Sequence, residues 1–297
     1  MKVGIGLKSQ SYTPEAYAYE AYLKKKCVEV QLELEDDICP NNDINIFFMG
    51  FQPLWQKNPG RAKIIHEYQS LSTAPYAKLK DSVKRFINKK PSGRIFLNEI
   101  VRQELNFSDD IPYINRDMGV DSSLYQRPVK DAEFDIVYAG SIEGRIGLIF
   151  EIIRLSNLGF RFLLIGDVSA ENRAVLSTYS NILLVGRVSR NELPNLYRKC
   201  KAGLNYTPDL YPFNIQTSTK TLEYLASGLL VISNRYKWSS DFFHDKQSSV
   251  IWLDDFSGKD TLYYHFEKYQ APDMSEFSWD RILNKSNFIG FLTASLR

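Results

Sequence analysis

Short apolar runs of strand length alternate with helical patterns along most of the chain. In chain order, the runs predict strands at 2–7, 28–32, 44–49, 63–66, 95–97, 135–139, 161–165, 181–185, 202–205, 229–233 and 249–252. The helical patterns fall at 14–26, 76–88, 99–105, 147–157, 170–179, 192–200, 218–227 and 279–295. Strands that alternate with helices form parallel sheets covered on both faces. The pattern therefore predicts an α/β protein with two Rossmann-like domains.

A polar, proline-containing stretch at 125–133 separates the two sets of strands and predicts an interdomain linker. We expect domains at 1–127 and 128–278, followed by a closing helix over 279–297. Ligands of such sheets bind beyond the carboxyl ends of the strands, so the functional site is expected there.

The composition narrows the class of protein. Of the 297 residues, 44% are hydrophobic, which is typical of globular domains. No apolar run approaches the ~20 residues that are needed to span a bilayer. The formal net charge of +2 is too balanced to suggest a nucleic-acid partner. The three cysteines have no paired spacing, which argues against a disulfide framework or a zinc site and favours a reducing compartment.

The stretch 217–228 carries the first candidate chemistry. It is predicted to be a helix that begins at the hydroxyl residues 217–219, ends at a glycine and leads into a buried strand. The start of a helix presents backbone N–H groups and the positive end of its dipole, which suit a phosphate. Lys220 and Glu223 are three residues apart and can share a face near that start. A capped amphipathic helix with a surface Lys–Glu pair explains this segment equally well, so the rest of the chain must decide.

Four segments, in their order and spacing, resemble the C-terminal domain of GT-B glycosyltransferases, especially the large family 4 (glycosyltransferase group 1). They are the strand and glycine turn at 138–148, the strand at 162–167, the strand and helix at 181–197, and the helix end at 223–228. Segments 118–121 and 277–280 are similar to the turn before the interdomain crossing and to the start of the closing helix. The resemblance implies the GT-B fold, in which two Rossmann-like domains face a cleft and a C-terminal helix crosses back to the N-terminal domain.

The resemblance also implies a nucleotide-sugar site in the C-terminal half. The predicted donor-binding residues are Gly6, Gly140, Ser141, Arg187, Val188, Thr217, Ser218, Thr219 and Glu223. Gly6 is included because glycines at 4 and 6, with residues 8–10 behind them, let the backbone approach a ligand. The chain departs from the family where Ser141 replaces a common arginine and where 211–216 lacks the first glutamate of a paired-glutamate motif. Arg145 and Lys220 are expected to supply the missing positive charge.

In the first half, residues 64–68 resemble the family's strand that ends in a histidine and an acid. This implies that His66 lies near the transferred sugar; a histidine bonded within the sheet edge is the alternative. If the enzyme inverts, Glu67 or another N-terminal acid would act as general base. If it retains, the departing phosphate can take the acceptor proton, and the family resemblance favours retention. The predicted catalytic residues are His66, Glu67, Arg145 and Lys220.

The acidic pairs at 36–37, 109–110 and 254–255 are adjacent, do not form a DxD motif and are typical of solvated turns. Fixed dipoles and cations can stabilise a leaving nucleoside diphosphate without a metal. We therefore expect metal-independent chemistry without a cofactor, in which the nucleotide sugar is a substrate.

Segment 76–90 combines an apolar helical stripe with basic residues on its other faces. The apolar positions are 76, 79, 83, 86 and 87, and the basic residues are Lys78, Lys80, Lys84, Arg85, Lys89 and Lys90. Such a helix either lies on an anionic membrane or packs its stripe into the core. Both interpretations remain open from the sequence.

Together these features predict a hexosyltransferase-type glycosyltransferase that moves a sugar from a nucleotide-diphosphate sugar to a saccharide or lipid-linked acceptor. Bacterial surface polysaccharide assembly is the commonest setting of the family. We expect a cytoplasmic protein, peripheral at the cytoplasmic face of the inner membrane if 76–90 binds lipid. One alternative is a non-catalytic nucleotide-sugar-binding partner of another transferase, because the arginine and the first glutamate are missing. Another is a GT-B-fold sugar-nucleotide epimerase, although such a site normally uses several acids and histidines and this chain offers few.

Overall fold

The computed structural model of the protein describes residues 1–9, 13–48, 52–55, 60–73, 75–256 and 258–296. The chain divides into two compact units, Met1–Gly119 with Phe277–Arg297, and Val120–Glu276. Gln10, which follows the first predicted strand, and Met49, the predicted end of the third, lie outside the described residues.

The described residues form strands and helices that alternate along the chain. The strands are β1 (Lys2–Leu7), β2 (Glu29–Leu34), β3 (Ile44–Phe48), β4 (Lys63–Tyr68), β5 (Gly93–Phe96), β6 (Tyr113–Asn115), β7 (Phe134–Ala139), β8 (Phe162–Ile165), β9 (Ile182–Gly186), β10 (Cys200–Asn205), β11 (Leu230–Ser233) and β12 (Val250–Trp252). The helices are α1 (Pro14–Lys25), α2 (Ala77–Ile87), α3 (Glu99–Leu105), α4 (Leu148–Asn157), α5 (Ala170–Leu176), α6 (Leu193–Arg198), α7 (Thr219–Ala226), α8 (Lys237–Lys246), α9 (Lys259–Lys268), α10 (Trp279–Lys285) and α11 (Phe288–Ala294). Over these ranges, no helix has the length and apolar character that crossing a membrane requires.

The first unit is built on a sheet whose described strands are all parallel, in the order β2-β1-β3-β4-β5-β6. Its central strands bury apolar side chains such as Val3, Ile44 and Ile65. Parallel strands that are covered on both faces appear in a sequence as nearly continuous apolar runs. This is why the sequence pattern was sufficient to place β1, β3 and most of β4.

The second unit repeats this architecture with the strand order β12-β11-β10-β7-β8-β9, again parallel throughout the described strands. Its core unites apolar side chains of neighbouring strands and of α4, including Ile136, Phe162, Leu204 and Ile152. From β7, the chain builds the sheet outward on one side through β8 and β9 and on the other through β10 to β12. The order of the strands therefore reverses between β7 and β10.

The closing segment returns to the first unit but differs in detail from the prediction. The single helix predicted over 279–295 is wrong: α10 and α11 are separated at Asn287, whose φ of 52° is left-handed and interrupts the helix. The ring of Trp279 covers Gly119, where a Cβ atom would lie 2.4 Å from the indole. The ring centroid of Phe288 lies 4.6 Å from that of Tyr19 in α1. These contacts attach α10 and α11 to the first unit.

The sequence pattern also missed β6, α8 and α9. β6 has only three residues, which is too short for a recognisable strand pattern. α8 buries Ser239 and Phe243, and α9 buries only Leu262 among its described residues. A helix with so few buried positions has no clear apolar stripe, so its period is hard to detect.

Candidate functional site

The carboxyl ends of β7 and β10 meet at the point where the strand order of the second sheet reverses. The chain continues from β7 towards α4 and β8, and from β10 towards α7 and β11, so it leaves the two strand ends in opposite directions. Gly140 follows β7, and Tyr206 and Thr207 follow β10. A switch point of this kind opens a crevice in which α/β sheets bind their ligands.

The turn after β7 is held in place by its neighbours. Gly140 has a φ of 147°, a backbone conformation that favours glycine. The carbonyl oxygen of Gly140 lies against Gly166 at the end of β8, where a Cβ atom would approach it to 2.1 Å. On the other side, the hydroxyl of Tyr138 donates a hydrogen bond to the carbonyl oxygen of Ser141 at 2.7 Å. The backbone at the predicted donor residues Gly140 and Ser141 is therefore fixed, while the side chain of Ser141 is exposed.

The start of α7 is anchored to the end of β10. The hydroxyl of Ser218, the N-cap residue, accepts a hydrogen bond from the backbone N–H of Thr221 at 3.2 Å and donates one to Asn205 Oδ1 at 2.9 Å. Buried Asn205 in turn donates to Ser233 Oγ at 3.0 Å and to the hydroxyl of Tyr236 at 3.1 Å. The hydroxyl of Ser218 thus caps the helix, which leaves the N–H groups of the first turn as the part suited to an anion.

Lys220 connects this helix start with the glycine turn. Its Nζ atom lies 2.8 Å from Glu223 Oε2, and the hydroxyl of Tyr197 donates to the same oxygen at 3.1 Å. A Cβ atom on Gly140 would lie 3.7 Å from Cε of Lys220. The pair is not the ordinary surface pair of the simpler interpretation, because Glu223 is only 3% exposed. The structure therefore brings the predicted residues Gly140, Lys220 and Glu223 together, with Thr217 and Thr219 at the same helix start.

Arg145 adds a second cation at the crevice. Its Nη1 atom lies 3.5 Å from the carbonyl oxygen of Tyr206 and 3.5 Å from Thr207 Oγ1, so it reaches from the turn after β7 to the segment after β10. Burial raises the pKa of Tyr138, and the nearby guanidinium of Arg145 opposes that rise. Within the described part of the chain, no group of three or more His, Cys, Asp or Glu side chains could hold a metal ion.

Arg187 and Val188 follow β9, at the same edge of the sheet but two strands away from β7. Arg187 Nη2 lies 2.5 Å from Asp167 Oδ2, and both side chains are exposed. At ~4.8 Å between neighbouring strands, the end of β9 lies about 10 Å from the end of β7. No contact of the described residues joins Arg187 to Lys220 or Glu223. Arg187 lies at the same edge of the second sheet as these two residues.

The structure corrects the placement of His66 in the first unit. The strand that was predicted to end at His66 continues to Tyr68, so His66 lies inside β4 and is completely buried. Among the residues that the structure describes, neither ring nitrogen of His66 has a hydrogen-bond partner. Burial lowers the pKa of this imidazole and the positive charge of Arg94 adds to the effect, so the pKa is about 3. The side chain is a neutral histidine between the strand and its covering layer, not a group at the strand end.

Glu67 is equally buried, on the opposite face of β4. Its carboxylate is paired with the buried guanidinium of Arg116, which donates through Nε at 3.1 Å and also through Nη2. Arg116 also donates to the hydroxyl of Tyr19 at 2.7 Å and to Glu15 Oε1 at 3.2 Å. Burial raises the pKa of Glu67, and Arg116 opposes that rise. These contacts make Glu67 part of the core of the first unit.

Gly6, the remaining predicted donor residue, lies within β1. A Cβ atom at this position would lie 2.9 Å from the ring of Phe47 and 3.0 Å from Cγ of Glu35. The absence of a side chain therefore makes room for the neighbouring strand and for Glu35, which is sufficient to explain glycine here.

Several residues that shape the site were not predicted. Tyr197, from α6, holds the carboxylate of Glu223, and Asn205 and Tyr236 position the start of α7. Of these residues, Asn205 could most readily have been predicted from the sequence, because it is a polar residue at the end of an apolar strand. Tyr197 and Tyr236 carry no such signal, since their contacts depend on pairings made by the fold.

A family model matches most of the second unit. Residues 148–273 match the model of a family described as glycosyl transferase-like. No protein of curated function matches the chain.

Solved structures of similar fold cover nearly the whole chain. AviGT4, a glycosyltransferase involved in avilamycin A biosynthesis, has a TM-score of 0.64 at 15% identity over 99% of this chain and 98% of its own. HepE of Anabaena in complex with UDP-glucose has a TM-score of 0.59 at 10% identity, again over 99% and 98%. The T4 phage β-glucosyltransferase in complex with its UDP-glucose substrate has a TM-score of 0.54 at 15% identity, over 99% and 98%. At these identities the likeness demonstrates the fold, which confirms the predicted GT-B architecture, and the family match shows that residues 148–273 are similar to a glycosyl transferase-like domain.

Proposed function

We propose that this GT-B glycosyltransferase moves a hexose from a nucleotide-diphosphate sugar to a saccharide or lipid-linked acceptor, with retention of configuration and without a metal ion. The observation that carries the proposal is the position of Lys220. It lies at the strand-order switch of the second sheet, between the Gly140 turn and the buried carboxylate of Glu223. A cation, a helix start and a buried acid at one switch point suit a diphosphate that is joined to a ribose.

The diphosphate would be held by Lys220, Arg145 and the N–H groups at the start of α7. The ammonium of Lys220 has three donors, so it can keep its bond to Glu223 while it donates to a phosphate oxygen. The contacts of Arg145 with Tyr206 and Thr207 are long, at 3.5 Å each, so its guanidinium can turn towards an anion with little loss. These groups would meet the charge that develops on the leaving nucleoside diphosphate, which is the stabilisation a metal ion would otherwise supply.

The nucleoside would extend from this point along the edge of the sheet. Glu223 accepts hydrogen bonds when it is ionised, which suits the hydroxyls of a ribose. The separation of about 10 Å between the ends of β7 and β9 is of the order of that between the phosphates and the base of an extended nucleotide. We therefore propose that Arg187 and Val188 flank the base.

The resemblance to family 4 favours retention, and the position of Glu67 is consistent with it. The carboxylate of Glu67 is buried and paired with Arg116, so it is not available to take a proton from an acceptor. In this proposal the departing phosphate takes the acceptor proton, and His66 and Glu67 contribute to the stability of the first unit. The anomeric configuration of the product, read by NMR, distinguishes the two outcomes.

The proposed setting is the assembly of bacterial surface polysaccharide, at the cytoplasmic face of a membrane. The resemblance to family 4 supports this setting, and the basic segment 76–90 supports a peripheral contact with the membrane that carries a lipid-linked acceptor.

A donor-binding screen tests the proposal. Uridine, adenosine and guanosine diphosphates and their glucose conjugates would each be added to the protein while its melting temperature is measured. We expect one base class to raise the melting temperature and Lys220→Ala to abolish the increase. Lys237→Ala is the matched control, because it removes a helical lysine with an ion pair, to Asp241, elsewhere in the same unit. If no nucleotide stabilises the protein, or if Lys220→Ala responds normally, the proposed site is wrong.

A further inference from the structure

Helix α2 presents its apolar stripe to solvent instead of to the core. Tyr76, Leu79, Val83 and Phe86 are all exposed, and Phe86 retains 79% of its accessible surface. The one buried side chain of this helix is Asp81, on its opposite face. A surface helix of a globular protein normally packs its apolar stripe inward, so the orientation of α2 is inverted. The core-facing interpretation of this segment is therefore wrong.

Polar contacts hold the helix in this orientation. The carboxylate of Asp81 accepts hydrogen bonds from the backbone N–H of Ser72 at 3.1 and 3.2 Å. Arg85 Nη1 donates to the carbonyl oxygen of Asn106 at 3.2 Å. Because Asp81 and Arg85 lie on the inner side of the helix, turning the apolar stripe inward would break these bonds.

A second segment extends the exposed apolar area. The backbone N–H of Leu54 bonds the carbonyl oxygen of Ile87 at 2.8 Å, and that of Lys89 bonds the carbonyl oxygen of Gln52 at 2.8 Å. Leu54 and Trp55 thus lie at the C-terminal end of α2, and Trp55 is 72% exposed. We name Leu54, Trp55, Tyr76, Leu79, Val83 and Phe86 the α2 surface. A soluble monomer rarely groups so many exposed large apolar side chains without a partner for them.

The charged side chains around the α2 surface are almost all positive. Residues 76–90 contain six basic side chains, and the only acid is Asp81, which is buried and lies 3.4 Å from Lys84 Nζ. Lys78, Lys80 and Lys90 are exposed. An apolar stripe that contains aromatic residues and is bordered by lysines is complementary to the interface of an anionic bilayer. An ordinary protein partner would not require so uniform a positive border.

We infer that the α2 surface docks the protein on an anionic lipid bilayer, with the apolar side chains at the level of the acyl boundary and the lysines at the lipid phosphates. This contact deepens the peripheral membrane part of the proposed function. Lipid binding can be tested without sugar transfer, because all residues of the α2 surface belong to the first unit and the proposed donor residues Gly140, Lys220 and Glu223 belong to the second.

Vesicle binding tests the inference on the full chain. The protein would be sedimented with vesicles of mixed phosphatidylcholine and phosphatidylglycerol and with vesicles of phosphatidylcholine alone, while tryptophan emission is recorded. We expect binding to the anionic vesicles only, with a blue shift that Trp55→Phe removes. Leu79→Ser with Phe86→Ser should weaken the partition coefficient about tenfold or more, since exposed apolar area would no longer enter the bilayer. Lys78→Glu with Lys80→Glu should weaken it by a similar factor.

Two matched controls separate this surface from general effects. Tyr264→Ser removes an exposed aromatic ring from the second unit, and Lys130→Glu with Lys268→Glu reverses two exposed charges there. Both should bind vesicles like the unaltered protein. Equal binding to neutral vesicles, or no effect of the α2 substitutions, would overturn the inference. So would a dimer in the absence of lipid that Phe86→Ser dissociates, because a second copy would then be the occupant. Nucleotide binding, measured without vesicles, should be the same in all these variants, so a failed donor screen leaves this result interpretable.

Discussion

The ammonium nitrogen of Lys220 lies 2.8 Å from Oε2 of Glu223, one turn further along α7. Glu223 is buried, whereas Lys220 is partly exposed and lies beside the Gly140 turn. The pair therefore joins a fixed acceptor inside the unit to a cation at the mouth of the crevice. In the proposed complex, the same pair would contact the ribose on one side and the diphosphate on the other.

Replacement of Lys220 by alanine should impair the use of the donor beyond what its effect on stability explains. Loss of a preorganised group that stabilises the leaving phosphate typically costs about 10²-fold in rate. We expect kcat/KM for the donor to fall by about that factor, while the free energy of unfolding in urea falls by roughly 1–3 kcal/mol, because the buried carboxylate of Glu223 loses its cation and keeps the bond from Tyr197. Lys237→Ala should change neither quantity. Equal effects of the two substitutions on transfer would assign Lys220 a purely structural role.

Replacement of Tyr197 by phenylalanine should act through Glu223. The hydroxyl that holds Oε2 of Glu223 would be lost, at a cost of about 1 kcal/mol in stability. Because the carboxylate is expected to bind the ribose in the ground state and the transition state alike, KM for the donor should rise about tenfold with kcat nearly unchanged. Tyr269→Phe, which removes a hydroxyl bonded to the carbonyl of Leu229, is the control. A fall in kcat without a change in KM would contradict this role.

The glycines at the ends of β8 and β9 should respond differently to alanine. At Gly166 the added Cβ would lie 2.1 Å from the carbonyl oxygen of Gly140, whereas at Gly186 no atom of the described neighbouring residues would lie within 4 Å of it. Both positions have positive φ, so Gly186→Ala should cost about 1 kcal/mol of stability from backbone strain alone. Gly166→Ala should cost at least about 3 kcal/mol and also weaken donor binding, because the Gly140 turn must move. Similar stabilities of the two variants would mean that this close approach is not required.

The buried imidazole of His66 should make the protein sensitive to acid. Its pKa is lowered to about 3 in the folded protein, below the ordinary value of 6.5, so the unfolded chain binds the proton more readily. Stability should therefore decrease as the pH falls from 6.5 towards 3, by about 1.4 kcal/mol per pH unit from this residue. Urea denaturation at several pH values should show a smaller decrease for His66→Leu than for the unaltered protein. The exposed-site variant His244→Leu should retain the full decrease, and an unchanged pH dependence in His66→Leu would refute the assignment.

The fold was largely predictable because its strands are buried on both faces. β1 and α3 were placed at their observed bounds, and most other elements within a few residues. The errors arose in segments whose extent or orientation depends on contacts with residues that are distant in the sequence. The extension of β4 through Glu67 depends on Arg116, which lies 49 positions away in the sequence. The periodicity of α2 identified its apolar stripe but could not indicate which side Asp81 would hold against the protein.

The candidate site was predictable to a similar degree. The helix start at 217–220 and the turn at Gly140 are local patterns, and the sequence located both. The bond from Tyr197 to Glu223 and the anchoring of Ser218 by Asn205 join separate elements, so only the folded chain reveals them. His66 was misplaced because a polar residue that follows an apolar run was taken for the end of the strand.

The most direct test of the account is the turnover of a labelled nucleotide sugar in the presence of EDTA. With the base class that stabilises the protein, we expect release of the nucleoside diphosphate and transfer of the label to an acceptor saccharide. The rate should not change with EDTA, and Glu223→Ala should reduce it strongly while Lys237→Ala leaves it intact. Tight donor binding without release or transfer, over a broad panel of acceptors, would identify a non-catalytic binding protein instead. Activity that disappears with EDTA and returns with manganese would contradict the proposed role of Lys220 and Arg145 in place of a metal.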